Sequence, residues 1–229
     1  MKSKKTVGII VGIVVVVAAL GLVAVKGARR DFNAGGYVNA ILDYTFKGKS
    51  EEAVNLFEEG ALAHLENQYE TNITTFVDKN ITGGIEVDDG MRDKYIALCK
   101  DIFQAMKYQV KGVEKVNGDE YKVTVGFQAA DIFPVYRNAA LQEAAKIMEK
   151  VENGEYQGES TEEINLQMKQ DTINNDYELL GGAYENVQYG KEEEMIFTVK
   201  RGEDGVFAID GASLSEFIRK ILSLDEIRD

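Results

Sequence analysis

The stretch YQVKGVEKVNGDEYKVTVGFQ, Tyr108–Gln128, decides how the rest of the chain folds. After Asn117-Gly118-Asp119, Tyr121, Val123, Val125 and Phe127 alternate with Lys122, Thr124, Gly126 and Gln128. A period of two belongs to a strand with one buried and one solvated face. Asn-Gly between two such runs supplies the positive-φ residues that a tight hairpin turn needs. The spacing predicts strands over Tyr108–Val116 and Glu120–Gln128 joined at that turn.

Upstream the period changes to that of a helix. Ala34, Tyr37, Val38, Ile41, Leu42 and Thr45 recur at i, i+3, i+4, i+7, predicting a helix over Asn33–Phe46 that ends at Lys47-Gly48-Lys49. Ser50 is placed to cap a second helix with Val54, Phe57, Ala61, Leu65, Tyr69, Ile73, Phe76 and Val77 on its apolar face. Asp88 or Asp89 is placed to cap a third, striped by Tyr95, Leu98, Cys99, Ile102, Phe103 and Met106.

Downstream, Pro134, the only proline, stands near the start of a helix with Phe133, Tyr136, Ala140, Ala144, Ile147, Met148 and Val151 on one face. A polar loop over 152–161 follows, then a helix over Thr161–Leu180 with a thin apolar stripe, expected on the surface and stopped by Gly181-Gly182. Tyr184–Arg201 and Val206–Asp210 read as a second hairpin, and Ser213 or Ser215 as the cap of a last helix. This order is α+β, with the two hairpins forming one four-stranded antiparallel sheet over helices. The lengths are similar to cystatin-like or NTF2-like folds, an analogy of fold that carries no function.

The N-terminus differs from everything after it. Val7–Val25 is 19 residues without a charge, 13 of them Val, Ile or Leu. As a helix it is about 28 Å long, against a hydrocarbon core of about 30 Å. It is too long for a typical signal core and lacks a good cleavage site at its end, so it reads as an uncleaved transmembrane anchor. Residues 1–6 then form a cytoplasmic tail, 26–31 a linker, and 32–229 one extracytoplasmic domain. Lys2, Lys4 and Lys5 precede the run and Lys26, Arg29 and Arg30 follow it, so charge alone barely sets the orientation. The Lys-rich tail ahead of a long apolar run favours a signal-anchor with the C-terminal domain outside the cell membrane.

The chain carries −13, and residues 1–30 hold six positive charges and no acid, which leaves −19 on the remainder. That balance disfavours nucleic acid and anionic lipid headgroups as partners of the domain. Cys99 is the sole cysteine, so no intrachain disulfide forms.

Two stretches, FNAGGYVNAILDYTFKGKSEEAV (Phe32–Val54) and DKYIALCKDIFQAMKYQVKGVEKVNGDEYKVTV (Asp93–Val125), carry a resemblance. The chain resembles an uncharacterised family of extracytoplasmic domains of Gram-positive bacteria, membrane-tethered or lipoprotein-anchored. In these a Tyr-Val-x-Ala-Ile-Leu-Asp helix precedes Lys-Gly, and a Lys-Tyr helix leads into a Tyr-x-Val-x-Val strand. The resemblance covers roughly residues 32–135 and implies place and fold, with no catalytic residues to carry over. The chain departs from it in lacking a lipid-bearing cysteine, which leaves the apolar run as the tether.

Residues able to do chemistry are sparse. His64 is the only histidine, and Cys99 lies inside an apolar stripe. No nucleophile elbow, phosphate-cradling loop or zinc spacing is present. Asp88, Asp89 and Asp93, and Glu192–Glu194, lack the spacing of a calcium loop and read as a helix cap and a solvated strand face. No metal or cofactor is expected. Tyr37, Tyr95, Tyr121 and Tyr184 are the candidates to line a ligand pocket between helices and sheet. Gly8 and Gly12 form a G-x-x-x-G, a spacing that lets two membrane helices approach, but glycine is common in such spans and this pair, near one end of the run, reads first as lipid-facing.

The sequence thus predicts a membrane-anchored, non-catalytic binding or interaction module, its partners the bilayer through residues 7–25 and an envelope protein or small ligand. Two rivals stay open: an envelope-associated enzyme using a carboxylate or tyrosine in a sheet pocket, and a scaffold that weakly dimerises.

Overall fold

The computed structural model describes residues 25–26, 32–49, 61–83, 87–158, 160–203 and 205–227. Its elements are β1 (Val25–Lys26), α1 (Ala34–Lys47), α2 (Ala61–Phe76) running into a π-helical turn (Val77–Ile81), and α3 (Asp89–Gln104). Then come β2 (Lys107–Lys115), β3 (Glu120–Ala130), α4 (Ile132–Glu152), α5 (Thr161–Glu185), β4 (Tyr189–Arg201), β5 (Val206–Ile209), α6 (Gly211–Ile221) and a 3-10 turn at Leu224–Ile227. The class is α+β, as the order of elements predicts. The cap expected from Ser50, the first part of the second helix, and the anchor with Gly8 and Gly12 lie outside the described residues, apart from Val25.

The hairpin turns at Asn117-Gly118 as expected, but neither residue takes a positive φ; instead the Asn117 Oδ1 accepts from the Asp119 N–H at 2.8 Å, and the Asn117 N–H donates to Glu120 O at 3.2 Å. The two hairpins are neighbours in one antiparallel sheet of order β1-β5-β4-β3-β2. Four strands were expected, and β1 is a fifth. Val25 stands opposite Phe207 and Lys26 opposite Val206, so the last residue of the apolar run and the first of the predicted linker form a strand edge.

One register detail escapes simple alternation. Val110 pairs with Val125 but Gly112 pairs with Thr124, so Lys111 is the extra residue of a bulge. The bulge shifts the phase of β2 by one. Tyr108 and Val110 before it and Val113 after it all stand opposite inward residues of β3, while Lys111 is free to lie across the outer face.

The inner face and the helices make one core. Phe217 of α6 lies at its centre, with ring centroids 5.1 Å from Phe127, 5.3 Å from Phe197 and 6.2 Å from Phe46. Helix α1 stops where Gly48 takes φ +63°, and its N–H returns to Tyr44 O. A Cβ there would come within 2.8 Å of the Tyr69 ring, so both the left-handed turn and the packing call for glycine.

Four local expectations need correction. Helix α5 runs through Gly181-Gly182 to Glu185, because Leu180 and Ala183 on either side are buried in the core. That burial outweighs about 1 kcal/mol of lost helix propensity per glycine. The second hairpin therefore begins at Tyr189, five residues later than Tyr184. α5 lies on the surface, as its thin apolar stripe predicts, with Met168, Ile173, Leu180 and Ala183 buried, and it is tied down where Tyr95 of α3 donates to Ile173 O at 2.7 Å and Asn175 donates to Glu143 of α4 at 3.0 Å. The cap of α6 is Asp210, whose Oδ1 accepts from the Ala212 N–H, and Ser213 donates to the same carboxylate. Met148, assigned to the buried face of α4, is exposed.

Among the described residues no helix is long and apolar enough to cross a membrane.

Candidate interaction face

The described helices pack on the inner face of the sheet, so β-strand alternation leaves the other face to solvent. That outer face carries Lys107, Gln109, Lys111 and Glu114 from β2; Lys122, Thr124, Gly126 and Gln128 from β3; and Glu192, Glu194, Ile196, Thr198 and Lys200 from β4. The two signs of charge are interspersed. Lys111 reaches over β3 to pair with Glu192 of β4 at 2.7 Å. Its arm crosses Gly126, where a Cβ would fall 2.5 Å from Lys111 Cε and 2.9 Å from Glu192 Oε1. Gly126 is buried on a solvated face for that reason alone. Nearby, the Lys107 ammonium sits 3.6 Å from the centroid of the Tyr189 ring. Amid these polar residues Ile196 is 54% exposed, opposite Thr124.

Two depressions mark this face. One, of ≈ 180 Å³, lies over Gly126 and is rimmed by Lys107, Lys111, Gln128 and Glu192. The other, of ≈ 800 Å³, is open and follows β4 and β5 from Arg201 to Asp210 and Ser213. A third, of ≈ 410 Å³, lies away from the sheet between the tips of α4 and α5, beside Tyr156 and Asp171.

The four tyrosines proposed from sequence stand apart from all three depressions. Tyr37 and Tyr121 are buried and meet through Phe32, with centroids 5.6 and 5.7 Å from it. Burial pushes the Tyr37 phenol up to about 12, against the lowering effect of a hydrogen bond with the Ile209 backbone. Tyr95 is elsewhere, edge-on to Tyr177 at 5.4 Å, and burial raises its pKa strongly. Tyr184 is half-buried against the core. Cys99 is fully buried and its thiol is pushed up to about 12, so it is an inert packing residue. The side chain of His64 lies outside the described residues. Among the described residues no three His, Cys, Asp or Glu side chains gather as a metal site. Asp88 caps α3 through the Met91 N–H, and Glu192–Glu194 are exposed on β4.

Two carboxylates that sequence did not single out have distinct environments. Burial would raise Asp43, but hydrogen bonds from Lys47 and Tyr108 and the Lys47 and Lys49 charges outweigh it and hold the carboxyl below its usual range. This network ties α1 to the edge strand β2. Asp176 is the reverse case. Half-buried among Tyr95, Tyr136 and Glu143, it accepts no hydrogen bond from the described residues, and burial together with the Glu143 charge raises it to about 6. The signal was present in the sequence: Asp176 falls between Ile173, Tyr177 and Leu180 at i+3, i+4 and i+7, inside the stripe that faces the core.

No protein-family profile matches this chain, and neither does any curated protein. Among solved structures it is similar to that of a candidate lipoprotein, YcdA, from Bacillus subtilis subsp. subtilis str. 168. The identity is 12% and the TM-score 0.42, with 82% of this chain and 55% of that chain covered. The chain thus spans about half the length of that protein.

Proposed function

We propose that this chain is a single-pass, membrane-tethered extracytoplasmic module of the Gram-positive envelope, built on a cystatin- or NTF2-like sheet, that binds a partner protein without catalysis. The observation that carries this reading is the contrast between the two faces of the sheet. On the inner side, Tyr121 of β3, Tyr37 of α1, and Tyr95 and Cys99 of α3 are all buried and consumed by packing. On the outer face, interspersed charges surround an exposed isoleucine, a surface suited to recognition through complementary charge with an apolar centre. The apolar run Val7–Val25 supplies the tether and the −19 charge keeps the body dispersed.

The test is photo-crosslinking in intact cells with benzoylphenylalanine in place of Ile196. Discrete protein adducts at that position, absent when the same group replaces exposed Leu166 on α5, support the reading. A folded, surface-displayed protein that gives no adduct at position 196 overturns it.

One observation favours the enzyme rival. Asp176 beside Glu143 is a carboxylate pair, and a carboxyl titrating near 6 suits acid–base work. Hydrolytic turnover abolished by Asp176→Asn would establish that reading in place of the first.

A further inference from the structure

Helix α4 carries two apolar stripes, and the core uses one of them. Phe133, Tyr136, Ala140 and Ile147 are buried. Leu141 and Met148 each follow a buried residue by one position, about 100° further round the helix, and stay 45% and 36% exposed. Ala145 between them is exposed as well. Neighbouring α5 packs elsewhere, since Asn175 meets Glu143, about 160° round from Leu141. Pro134, Asn138, Leu141, Ala145, Met148 and Glu152 succeed one another at intervals of four and three, the spacing of a seam that meets another helix. A single exposed apolar side chain is ordinary, whereas Leu141, Ala145 and Met148 fill consecutive seam positions.

Both ends of the seam hold a charge with no partner. Arg137, one turn before Leu141, makes no ion pair among the described residues, and its buried Nε has no hydrogen-bond partner. Glu152, one turn beyond Met148, is exposed and makes none among them either. We infer that α4 packs against α4 of a second copy of this chain, antiparallel, about a twofold axis between Ala144 and Ala145. That axis sets Leu141 against Met148 of the second copy, the alanines at the crossing, and Arg137 opposite Glu152 at each end.

The pattern selects a copy of this chain over an unrelated helix. A closed twofold interface needs one patch to supply both sides of every contact. This stripe does so, apolar against apolar at 141 and 148 and cation against acid at 137 and 152. Alanine at the crossing lets the axes approach to about 8 Å, and antiparallel packing sets each helix N-terminus beside the other's C-terminus, which suits their dipoles. The seam from 137 to 152 is only about 22 Å long, which gives a weak, exchanging dimer. α4 belongs to the helical side of the sheet, so the outer face stays free for the partner proposed above, and neither reading depends on the other.

Disulfide trapping of the full chain in mild detergent tests the register, with Cys99 buried and out of reach. Ala145→Cys should form a covalent dimer on mild oxidation, because the two copies of position 145 flank the axis. Leu141→Cys or Met148→Cys alone should not, since each stands about 10 Å along the helix from its own mate, beyond the ~7 Å limit between the Cα atoms of a disulfide. Leu141→Cys mixed with size-tagged Met148→Cys should crosslink. Glu152→Arg, at an exposed site, should lower the yield at 145 several-fold. Leu141→Cys joining to itself, or no dimer at 145 in a chain whose circular dichroism matches the parent, overturns the inference. So does a yield at 145 that Glu152→Arg leaves unchanged.

Discussion

Replacing Asp176 by asparagine should stabilise this protein at neutral pH, and the size of the gain follows from the site. The carboxyl titrates at about 6 in the folded chain against 3.8 for a free one. Between those values the folded state holds more proton than the unfolded state, so the contribution of this group to stability falls as pH rises from about 4 to about 6 and is level above. A shift of about two units corresponds to about 3 kcal/mol when fully expressed. Asp176 is only half-buried, and solvent screening brings the expected penalty at pH 7 to about 1–2 kcal/mol. Asparagine keeps the shape and removes the charge. Urea unfolding of the full chain in mild detergent, followed by circular dichroism at half-unit steps from pH 4 to 7.5, gives the stability of both proteins. The difference between them isolates this site from Asp43, whose lowered pKa acts in the opposite sense and whose stabilisation fades as pH falls. The variant should match the parent near pH 4 and exceed it by about 1–2 kcal/mol above pH 6. A difference that does not change with pH, or a variant less stable at pH 7, would refute the electrostatic account of this helix pair.

Two further outcomes follow from packing. Phe217→Ala removes the ring shared by Phe127, Phe197 and Phe46, and should cost about 3–5 kcal/mol by the same unfolding measurement. Gly126→Val should displace the Lys111 arm and break its pair with Glu192, whereas Lys111→Met at the same site should cost under about 1 kcal/mol because the pair is exposed; equal losses for the two would remove the steric argument for glycine.

The parts of this fold that sequence announces are those fixed by local chemistry. Asn117-Gly118 demands its turn, Asp88 its cap, and the 121–127 alternation its buried face. The parts that stay hidden are those where a distant contact overrules a local preference. Gly181-Gly182 argues for a helix end, yet Leu180 and Ala183 find the core and the helix continues. Ser213 is a good capping residue, but Asp210 reaches the free N–H first and Ser213 becomes its donor. The Lys111 bulge shows only against a partner strand, since alternation within β2 cannot reveal which residue lacks one. Hydropathy places Val25 in the membrane run, and only pairing with Phe207 shows that the strand edge begins there. The candidate face was half legible: its polar side was readable from period-two alternation, while the Lys111–Glu192 crossing over Gly126 needed the three-strand register. Aromatic composition suggested a tyrosine-lined pocket, but in the structure Tyr37, Tyr95 and Tyr121 are core residues in two separate places.

The account turns on a folded body held outside the cell by its own N-terminal segment, and thiol labelling of intact cells measures this most directly. Cys99 is buried and unreactive, so a single Val116→Cys substitution at the exposed hairpin end provides the one accessible thiol. A membrane-impermeant maleimide should label that variant in intact cells to the same extent as in lysed cells, and leave the parent unlabelled in both. Labelling that appears only after lysis would place the body inside and contradict the account.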